Sequence, residues 1–425
     1  MRFCRVCSFL SCLIALPVWA QGEQPVGDRI RVLEERIQAL EVQVRALQTS
    51  QNASSGPTSA PVARPAEVVV SIPSTAVGPG PSQETPASLP VYGGAASMTK
   101  VLNPDISVIG NFIGAVGSNP LNPLPALSLR ESEFGFRAII DPYARADFFL
   151  GVGEDNVEME EGYITFPALP GGFSLRAGQM RASFGKTNPM HNHVLPWLDR
   201  PLVTFNLLGG EPDESDASIS DAGFSVSRIL PAPGGLFLEA TAEVYRGESG
   251  SLFHSSRRSD VSAVGHLRAY HDLNESTNLE MGGSFARGHN DLGSDFVTQL
   301  FGMDAMLRWR PLRRAIYRSF VARTELFWSR REELAGAQRA HGFYASADYQ
   351  FSRRWFAGAR FDWSQRARDA SRHDSGQSAV LTYWPSEFSQ IRGQLRRTNH
   401  AEGVTVNELL FQFQYTIGAH GAHPF

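Results

Sequence analysis

Cysteine is scarce in this sequence, and its position excludes several kinds of chemistry. Cys4, Cys7 and Cys12 are the only three. All lie within a start that has the charged end, apolar run and small-residue site (residues 18–20) of a secretory signal peptide. We therefore predict that residues 1–20 are removed on export. The remaining chain would contain no thiol, which excludes disulfides, thiolate metal sites and cysteine nucleophiles.

Lysine and long apolar runs are also lacking. Lys100 and Lys186 are the only lysines among 39 basic residues, which are balanced by 43 acidic ones. This even balance offers no basic surface for nucleic acid, and we expect no nucleic-acid partner. After the signal peptide, no run of about 18 apolar residues occurs that could form a membrane helix. An exported chain of this kind either stays in the periplasm or crosses the outer membrane as a β-barrel.

A heptad repeat and a proline-rich stretch precede the main body. The apolar heptad positions are Ile30, Leu33, Ile37, Leu40, Val44 and Leu47. They predict a parallel coiled-coil oligomerisation stem over residues 21–50, with a single amphipathic helix as the alternative. β-branched first positions favour two strands, although a trimeric body could impose three. Residues 51–99 are rich in Pro, Ser, Ala and Gly and are predicted to form an extended linker.

From residue 100 onward the dominant period of the sequence is two. In residues 235–246 and 407–418, apolar or aromatic positions alternate with polar ones over about 10–13 residues, the length of a tilted membrane strand. Tryptophans near strand ends predict aromatic girdles at the two membrane interfaces. They are Trp309, Trp328, Trp355, Trp363 and Trp384.

Sixteen such segments predict that residues 100–425 form an all-β, transmembrane antiparallel β-barrel, with the N-terminal coiled-coil helix in the periplasm. The connections are expected to alternate between short periplasmic turns and long outer links. The long links are predicted at 182–220, 248–260, 330–340 and 366–376. The expected surroundings are outer-membrane lipid and lipopolysaccharide of a Gram-negative bacterium.

Alternation also assigns one face of each strand to the barrel interior. A water-filled pore needs a polar interior, so charged residues on that face are expected to line the pore. Their mixed sign predicts little ion preference unless the two signs are segregated on opposite walls. The pore-lining candidates are Arg137, Arg145, Asp147, Glu239, Glu243, Arg268, Asp304, Arg308, Arg323, Glu325, Arg360, Asp362, Arg392 and Arg396, and Glu131 and Glu133 share their parity.

The link at 182–220 is much the longest and follows the fifth strand. We predict that it folds inward and narrows the pore, with a surface loop as the alternative. Its acidic run, residues 211–216, is expected to be solvated rather than to bind a divalent cation. The constriction candidates are Lys186, His191, His193, Asp199 and Arg200.

No catalytic or cofactor motif is recognisable. A serine-hydrolase elbow, a phosphate-binding loop and a zinc-protease motif are all missing from the sequence. His191 and His193 are expected to form no metal site, because neighbouring strand residues point opposite ways and no carboxylate stands at helical spacing. The adjacent Glu160 and Glu161 are expected to point apart for the same reason, which argues against a glycosidase pair. We therefore expect neither an enzyme nor a cofactor.

Several short segments resemble the phosphate- and polyphosphate-selective porins of Gram-negative outer membranes. They are Leu175–Met180, Phe184-Gly185, Asp221–Gly223 and the terminal Phe425. The resemblance covers most of residues 100–425 and implies a sixteen-stranded barrel, a trimer and a periplasmic coiled-coil stem. It also implies passive diffusion of small solutes or ions, with anions such as phosphate among them. Because those porins use a lysine cluster to select phosphate and this chain has two lysines, no selectivity residue is carried over.

Two functions are therefore considered. The first is a porin, a water-filled channel for passive diffusion. The alternative is a structural outer-membrane anchor that tethers the envelope through its stem, which the long linker favours. A channel conducts ions, whereas an anchor needs only a narrow or plugged barrel.

Overall fold

The computed structural model describes residues 104–122, 124–154, 156–209 and 218–418. The predicted signal peptide, stem and linker lie outside the described residues. So do the acidic run at 211–216 and the C-terminal Phe425.

Sixteen antiparallel strands form a closed barrel, which confirms the predicted all-β class and strand number. Each strand pairs with its neighbours in sequence, and β1 closes the barrel against β16, from Ser107 opposite Gly418 to Gly117 opposite Glu408. The strands are β1 (Asp105–Gly117), β2 (Leu127–Asp141), β3 (Ala144–Val152), β4 (Val157–Leu169), β5 (Phe173–Arg181), β6 (Ser220–Leu230), β7 (Phe237–Tyr245), β8 (Ser262–Asn274), β9 (Thr277–Asn290), β10 (Gly293–Trp309), β11 (Ser319–Glu333), β12 (Gly336–Ser352), β13 (Trp355–Arg366), β14 (Asp369–Ser386), β15 (Ser389–Asn399) and β16 (Thr405–Gly418).

The two-residue period sets which side chains face outward. On β16, Leu409, Phe411 and Phe413 are exposed on the outer face, whereas Gln412 and Gln414 are buried on the inner face. Successive side chains of a strand point to opposite faces, so a barrel in a bilayer presents its apolar set to lipid and its polar set to the lumen.

The described residues contain two short helical segments, both in the link between β5 and β6. One is a 3-10 turn at Asn192–Val194, and the other is α1 (Leu202–Leu208). Gly209 follows α1 with φ of 83°, a left-handed conformation that glycine adopts without strain and that commonly ends a helix. Neither segment is long and apolar enough to span a membrane.

The prediction of long links at 330–340 and 366–376 was wrong. β11 and β12 continue until only residues 334–335 separate them, and β13 and β14 until only residues 367–368 remain. These stretches are polar on both faces, which suggested loops. Polar strands can nevertheless stay paired beyond a bilayer, because water then surrounds both faces. The links 182–219 and 246–261 are long and lie at one end of the barrel, here called the long-link end; the opposite end is the short-turn end.

The tryptophans follow the girdle prediction with one exception. Trp355 faces outward and stacks on Tyr383 with ring centroids 4.6 Å apart, and Trp363 lies on the same outer face. Trp384 is instead buried on the inner face beside Phe356. Because Trp384 is two residues from the inward-facing Thr382 on β14, alternation places it on the inner face. Its position near a strand end had wrongly suggested that it faces the membrane interface.

The main buried apolar cluster lies inside the barrel. The inward loop, defined as residues 182–209 together with residues 218–219, contributes part of it, and the inner faces of strands between β5 and β14 contribute most of the rest. Apolar as well as polar side chains therefore occupy the interior, and apolar burial holds the loop within the barrel. Members of the cluster include Phe184, Trp197, Val203, Leu207, Leu300, Phe327, Tyr344 and Val380.

Candidate functional site

The first part of the inward loop is fastened to carboxylates on the barrel wall. Ser183 donates hydrogen bonds from its backbone nitrogen (2.8 Å) and hydroxyl (2.9 Å) to Glu243 on β7. Lys186 forms an ion pair with Glu280 on β9. Thr187 donates from its backbone nitrogen to Glu325 on β11 at 3.2 Å. These contacts carry the loop from β5 across to β11.

The second part of the loop meets β2 and β4 through two histidines. Nδ1 of His191 lies 2.9 Å from Glu133 Oε2 and 2.9 Å from Glu160 Oε2, and its Nε2 lies 2.7 Å from Glu161 Oε2. Nδ1 of His193 lies 3.1 Å from the same Glu133 oxygen. Five side chains from three separate segments of the chain therefore converge at one place on the inner wall.

The sequence had suggested that the side chains of Glu160 and Glu161 point apart, and likewise those of His191 and His193. Both predictions were wrong. Register between β3 and β4 passes from Phe149 opposite Glu161 to Leu150 opposite Met159, so Glu160 is an extra residue in a β-bulge. A bulge re-aims a side chain, and both glutamates turn inward. His191 immediately precedes the 3-10 turn and His193 lies within it, so neither is in a strand, and both rings reach Glu133.

The third part of the loop meets arginines. Arg392 on β15 donates to the carbonyl oxygens of Leu195 (2.8 Å) and Trp197 (3.2 Å). Asp199 accepts from Arg360 on β13 at 2.9 Å and from Arg396 on β15 at 3.0 Å. The loop is thus tied to nearly the whole circumference of the barrel.

The wall contacts of the loop are partly separated by charge. Its first half binds carboxylates on β2, β4, β7, β9 and β11, whereas residues 195–199 bind arginines on β13 and β15. The later part of the loop also contacts carboxylates, because Asp362 on β13 accepts from the Leu202 backbone nitrogen and Asp374 on β14 accepts from Asn206. On the opposite side, Arg130 on β2 donates to the Leu198 carbonyl oxygen, so the two signs are not confined to opposite walls.

Ionisation of two loop side chains is set by these contacts. Burial alone would raise the pKa of Asp199, but the guanidinium groups of Arg360 and Arg396 hold it well below its usual range. Burial alone would lower the pKa of His191, but its hydrogen bonds with Glu133, Glu160 and Glu161 raise it well above its usual range.

Every pore-lining candidate lies on the inner face of its strand. Asp147 pairs with Arg145 at 2.8 Å and with Arg137 at 3.4 Å, and Arg268 lies 3.6 Å from Glu239. Arg323 pairs with Asp348 at 2.5 Å. Asp304 and Arg308 share one face of β10, and Asp362 accepts a hydrogen bond from the Leu202 backbone nitrogen of the loop. A role for these residues in permeation remains a prediction.

The constriction candidates divide into two groups. Lys186, His191 and Asp199 contact the barrel wall through ion pairs, and His193 contacts it through Nδ1 and the Glu133 carboxylate. Arg200 is buried and braces the loop itself, because its guanidinium donates to the carbonyl oxygens of Thr187 at 3.0 Å and Met190.

Several inner-face residues were missed by the sequence analysis. Glu280 on β9 has the parity of the buried Ser284, so alternation could have found it. Arg366 and Asp374 were missed because their segment was interpreted as a loop. The inward position of Glu160 could not be predicted from alternation, because no sequence pattern indicates the β-bulge that turns it inward.

A cavity of about 660 Å³, here called the mouth cavity, opens beside the loop at the long-link end. Apolar side chains including Ile113, Leu202 and Leu410 line part of it. Seven arginines and four carboxylates line it. Three of the arginines also pair with carboxylates just outside the lining, Arg331 with Asp291 and Glu333, Arg368 with Asp291 and Arg396 with Glu408. The arginines are Arg130, Arg200, Arg331, Arg366, Arg368, Arg372 and Arg396, and the carboxylates are Asp199, Asp369, Asp374 and Glu402.

Comparison with known proteins bears on the fold. No protein-family model matches the sequence. The chain is 28% identical over 347 residues to an uncharacterized protein of Aquifex aeolicus (strain VF5), covering 72% of this chain and 71% of that one. The structure of this chain is similar to that of OprB of Pseudomonas putida, with a TM-score of 0.52 and 10% identity, and the match covers 75% of this chain and 95% of OprB. It is also similar to the trimer form of OmpT, an outer membrane protein of Vibrio cholerae, with a TM-score of 0.51, 8% identity and coverage of 74% and 99%. The chain therefore has the barrel fold of outer-membrane proteins.

Proposed function

We propose that this chain is a passive channel of a Gram-negative outer membrane, through which small solutes diffuse. The observation that carries the proposal is a barrel with a charged inner wall whose longest link folds inside and is fixed by ion pairs around the lumen. Such a loop narrows a channel and sets what passes, as charged rings do in other channels. The fold shared with outer-membrane proteins supports this proposal, and no reaction is assigned to the chain.

The proposed orientation places the short-turn end in the periplasm. Both ends of the barrel, Asp105 and Gly418, lie there, so a stem formed by residues 21–50 would project into the periplasm. The apolar outer face would contact lipid, with lipopolysaccharide at the outer leaflet. Trimeric self-association is part of the proposal, supported by the trimer form of OmpT.

The proposed solutes are small anions, with phosphate as one candidate. Arg368 and Arg372 line the mouth cavity with half-exposed side chains, where they would attract anions toward the inward loop. Arginine also forms bidentate hydrogen bonds with phosphate and carboxylate groups.

Planar-bilayer recording of the purified full-length protein tests the proposal. We expect discrete, ohmic steps, and a reversal potential in a salt gradient whose sign corresponds to anion preference. Inhibition of the chloride current by phosphate would support phosphate as a solute. A cation-selective reversal potential would reject the anion proposal while leaving the channel.

A structural anchor is the second candidate, and one observation favours it. The inward loop reaches strands from β2 to β15 and carries apolar side chains into the barrel, as a plug would. Folded, heat-modifiable protein that gives no conductance would reject the channel and support the anchor. Loss of envelope integrity on deletion of residues 21–50 would then be the expected phenotype.

A further inference from the structure

Glu133, His191 and His193 bring three potential metal-binding atoms together. Nδ1 of His191 and Nδ1 of His193 lie 2.9 and 3.1 Å from the same oxygen of Glu133, and all three atoms lie within 4.8 Å of one another. Atoms that bind one ion at about 2.0–2.1 Å must stand roughly 3 Å apart, so the spacing fits a single small cation.

The hydrogen bonding of His191 orients its ring for this role. Its Nε2 lies 2.7 Å from the Glu161 carboxylate, which can only accept, so Nε2 carries a proton. A carboxylate bonded to one imidazole nitrogen, while the other nitrogen binds the ion, is the usual support of metal-ligating histidines. Phe149 packs against the ring with centroids 5.1 Å apart and holds its plane.

The cluster also carries more carboxylates than arginines, an excess that a bound cation would offset. Glu133, Glu160 and Glu161 bring three negative charges to a buried site, and Arg181, paired with Glu160 at 2.5 Å, supplies one positive charge. The two histidines can offset the remaining negative charge either by taking up protons or by binding a cation, and uncompensated buried charge is costly. His191 Nδ1 and Glu133 Oε2 are buried without a well-aligned hydrogen bond, as expected where an ion belongs between them.

We propose that Glu133, His191 and His193 bind a divalent transition-metal ion that fastens the inward loop to β2. Imidazole with carboxylate oxygen is a donor set that suits Zn²⁺, and three protein ligands leave a further position for water or Glu160. The expectation of no metal site here assumed strand geometry, which the 3-10 turn replaces. The inference is independent of the proposed function, because an anchored plug would need the same fastening.

Equilibrium dialysis of the full-length folded protein against Zn²⁺ tests the proposal, with bound zinc measured by mass spectrometry. We expect one ion per chain in the wild type, and its loss in His191→Ala and His193→Ala. Glu161→Ala should weaken binding about 10–100-fold, as for other residues that orient a ligand. Co²⁺ in place of Zn²⁺ should give a d–d absorption spectrum that the two histidine variants lack.

His400→Ala is the matched control, since His400 lies in a second His/Asp/Glu group with Asp374 and Glu402 at the mouth. It should leave zinc binding unchanged. Chelation should lower the temperature at which the wild-type barrel loses its heat-modifiable form, and should not do so in His193→Ala. Wild-type protein that binds no ion would show that a proton alone balances the cluster and would overturn the proposal. Zinc lost in His400→Ala but retained in His193→Ala would overturn it equally.

Discussion

The side chain of Arg360 on β13 binds both the carboxylate and the backbone carbonyl of Asp199 in the inward loop. Nη2 of Arg360 donates to the Asp199 carboxylate at 2.9 Å and Nη1 donates to its carbonyl oxygen at 3.0 Å. The same guanidinium lies over the Trp197 ring, 4.8 Å from its centroid, and Arg360 itself is buried. A planar group with several donors suits this position, and the compact ammonium of lysine would not reproduce it.

Asp199→Asn should loosen the loop. The substitution removes one of the two carboxylates that each arginine contacts, since Arg360 keeps Asp362 and Arg396 keeps Glu408. Loss of a charged hydrogen-bond partner at a buried group costs about 1–3 kcal/mol. We expect a lower temperature for loss of the heat-modifiable form and larger, noisier conductance steps. Asp369→Asn is the control, because Asp369 also borders the mouth cavity but is exposed. Equal effects of both substitutions would contradict the structural role of Asp199.

The same carboxylate predicts a pH dependence. Its folded pKa is lowered, so its contribution to stability is complete above the unfolded pKa of about 3.9 and is lost as pH falls toward the folded value. The difference in stability between wild type and Asp199→Asn should therefore be constant from pH 8 to about pH 5 and shrink below about pH 4. Unfolding in denaturant at a series of pH values measures it, and a difference that shrinks between pH 8 and 6 would disagree.

Gly185→Ala should displace the start of the inward loop. Gly185 has φ of 61°, and a Cβ there would overlap Glu325 Oε1 and lie 3.1 Å from the Phe327 ring. Backbone strain alone costs about 1–3 kcal/mol for a residue other than glycine. Gly234, in the turn between β6 and β7, has φ of 67° with no atom within 4 Å of such a Cβ.

Gly234→Ala is thus a control with the same backbone strain and no overlap. We expect a similar loss of stability from strain in both variants, and a further loss together with altered conductance only in Gly185→Ala. Unchanged single-channel conductance in Gly185→Ala would place the loop away from the conducting path.

Arg368→Glu should weaken anion preference. Arg368 lines the mouth cavity with a half-exposed side chain, 2.9 Å from Asp291. Reversing its charge should shift the reversal potential toward cations at 0.1 M salt. Most of the shift should vanish at 1 M, where the screening length falls from about 10 Å to about 3 Å. Arg354→Glu at the short-turn end serves as the control, and an equal shift there would contradict selection at the mouth.

Ala359→Arg tests whether the outer face contacts lipid. Ala359 is exposed on the outer face of β13, midway between Trp355 and Trp363. An arginine near the bilayer midplane costs about 2–4 kcal/mol in such barrels. Urea unfolding from lipid vesicles should show this loss for Ala359→Arg and little change for Ala359→Leu. A negligible cost for arginine would argue against a membrane-spanning β13.

Alternation alone predicted most of the barrel, for a simple reason. A strand that separates lipid from a charged lumen must change polarity at every residue, so strand number and inward parity are written locally in the chain. Glu408, Gln412 and Gln414 opposite Leu409, Phe411 and Phe413 show this on β16. Trp384 shows the limit, because an aromatic residue at a strand end carries the same local signal on either face.

The sequence by itself therefore determined the barrel, its sixteen strands and the inner face of the predicted pore-lining residues. Only the tertiary structure decided the course of the inward loop, the bulge at Glu160 and the meeting of His191 and His193 at Glu133. The strand pattern depends on neighbours one and two residues apart. These other features depend on contacts between residues that are about 30 to 200 positions apart in the chain, and no local period records such contacts.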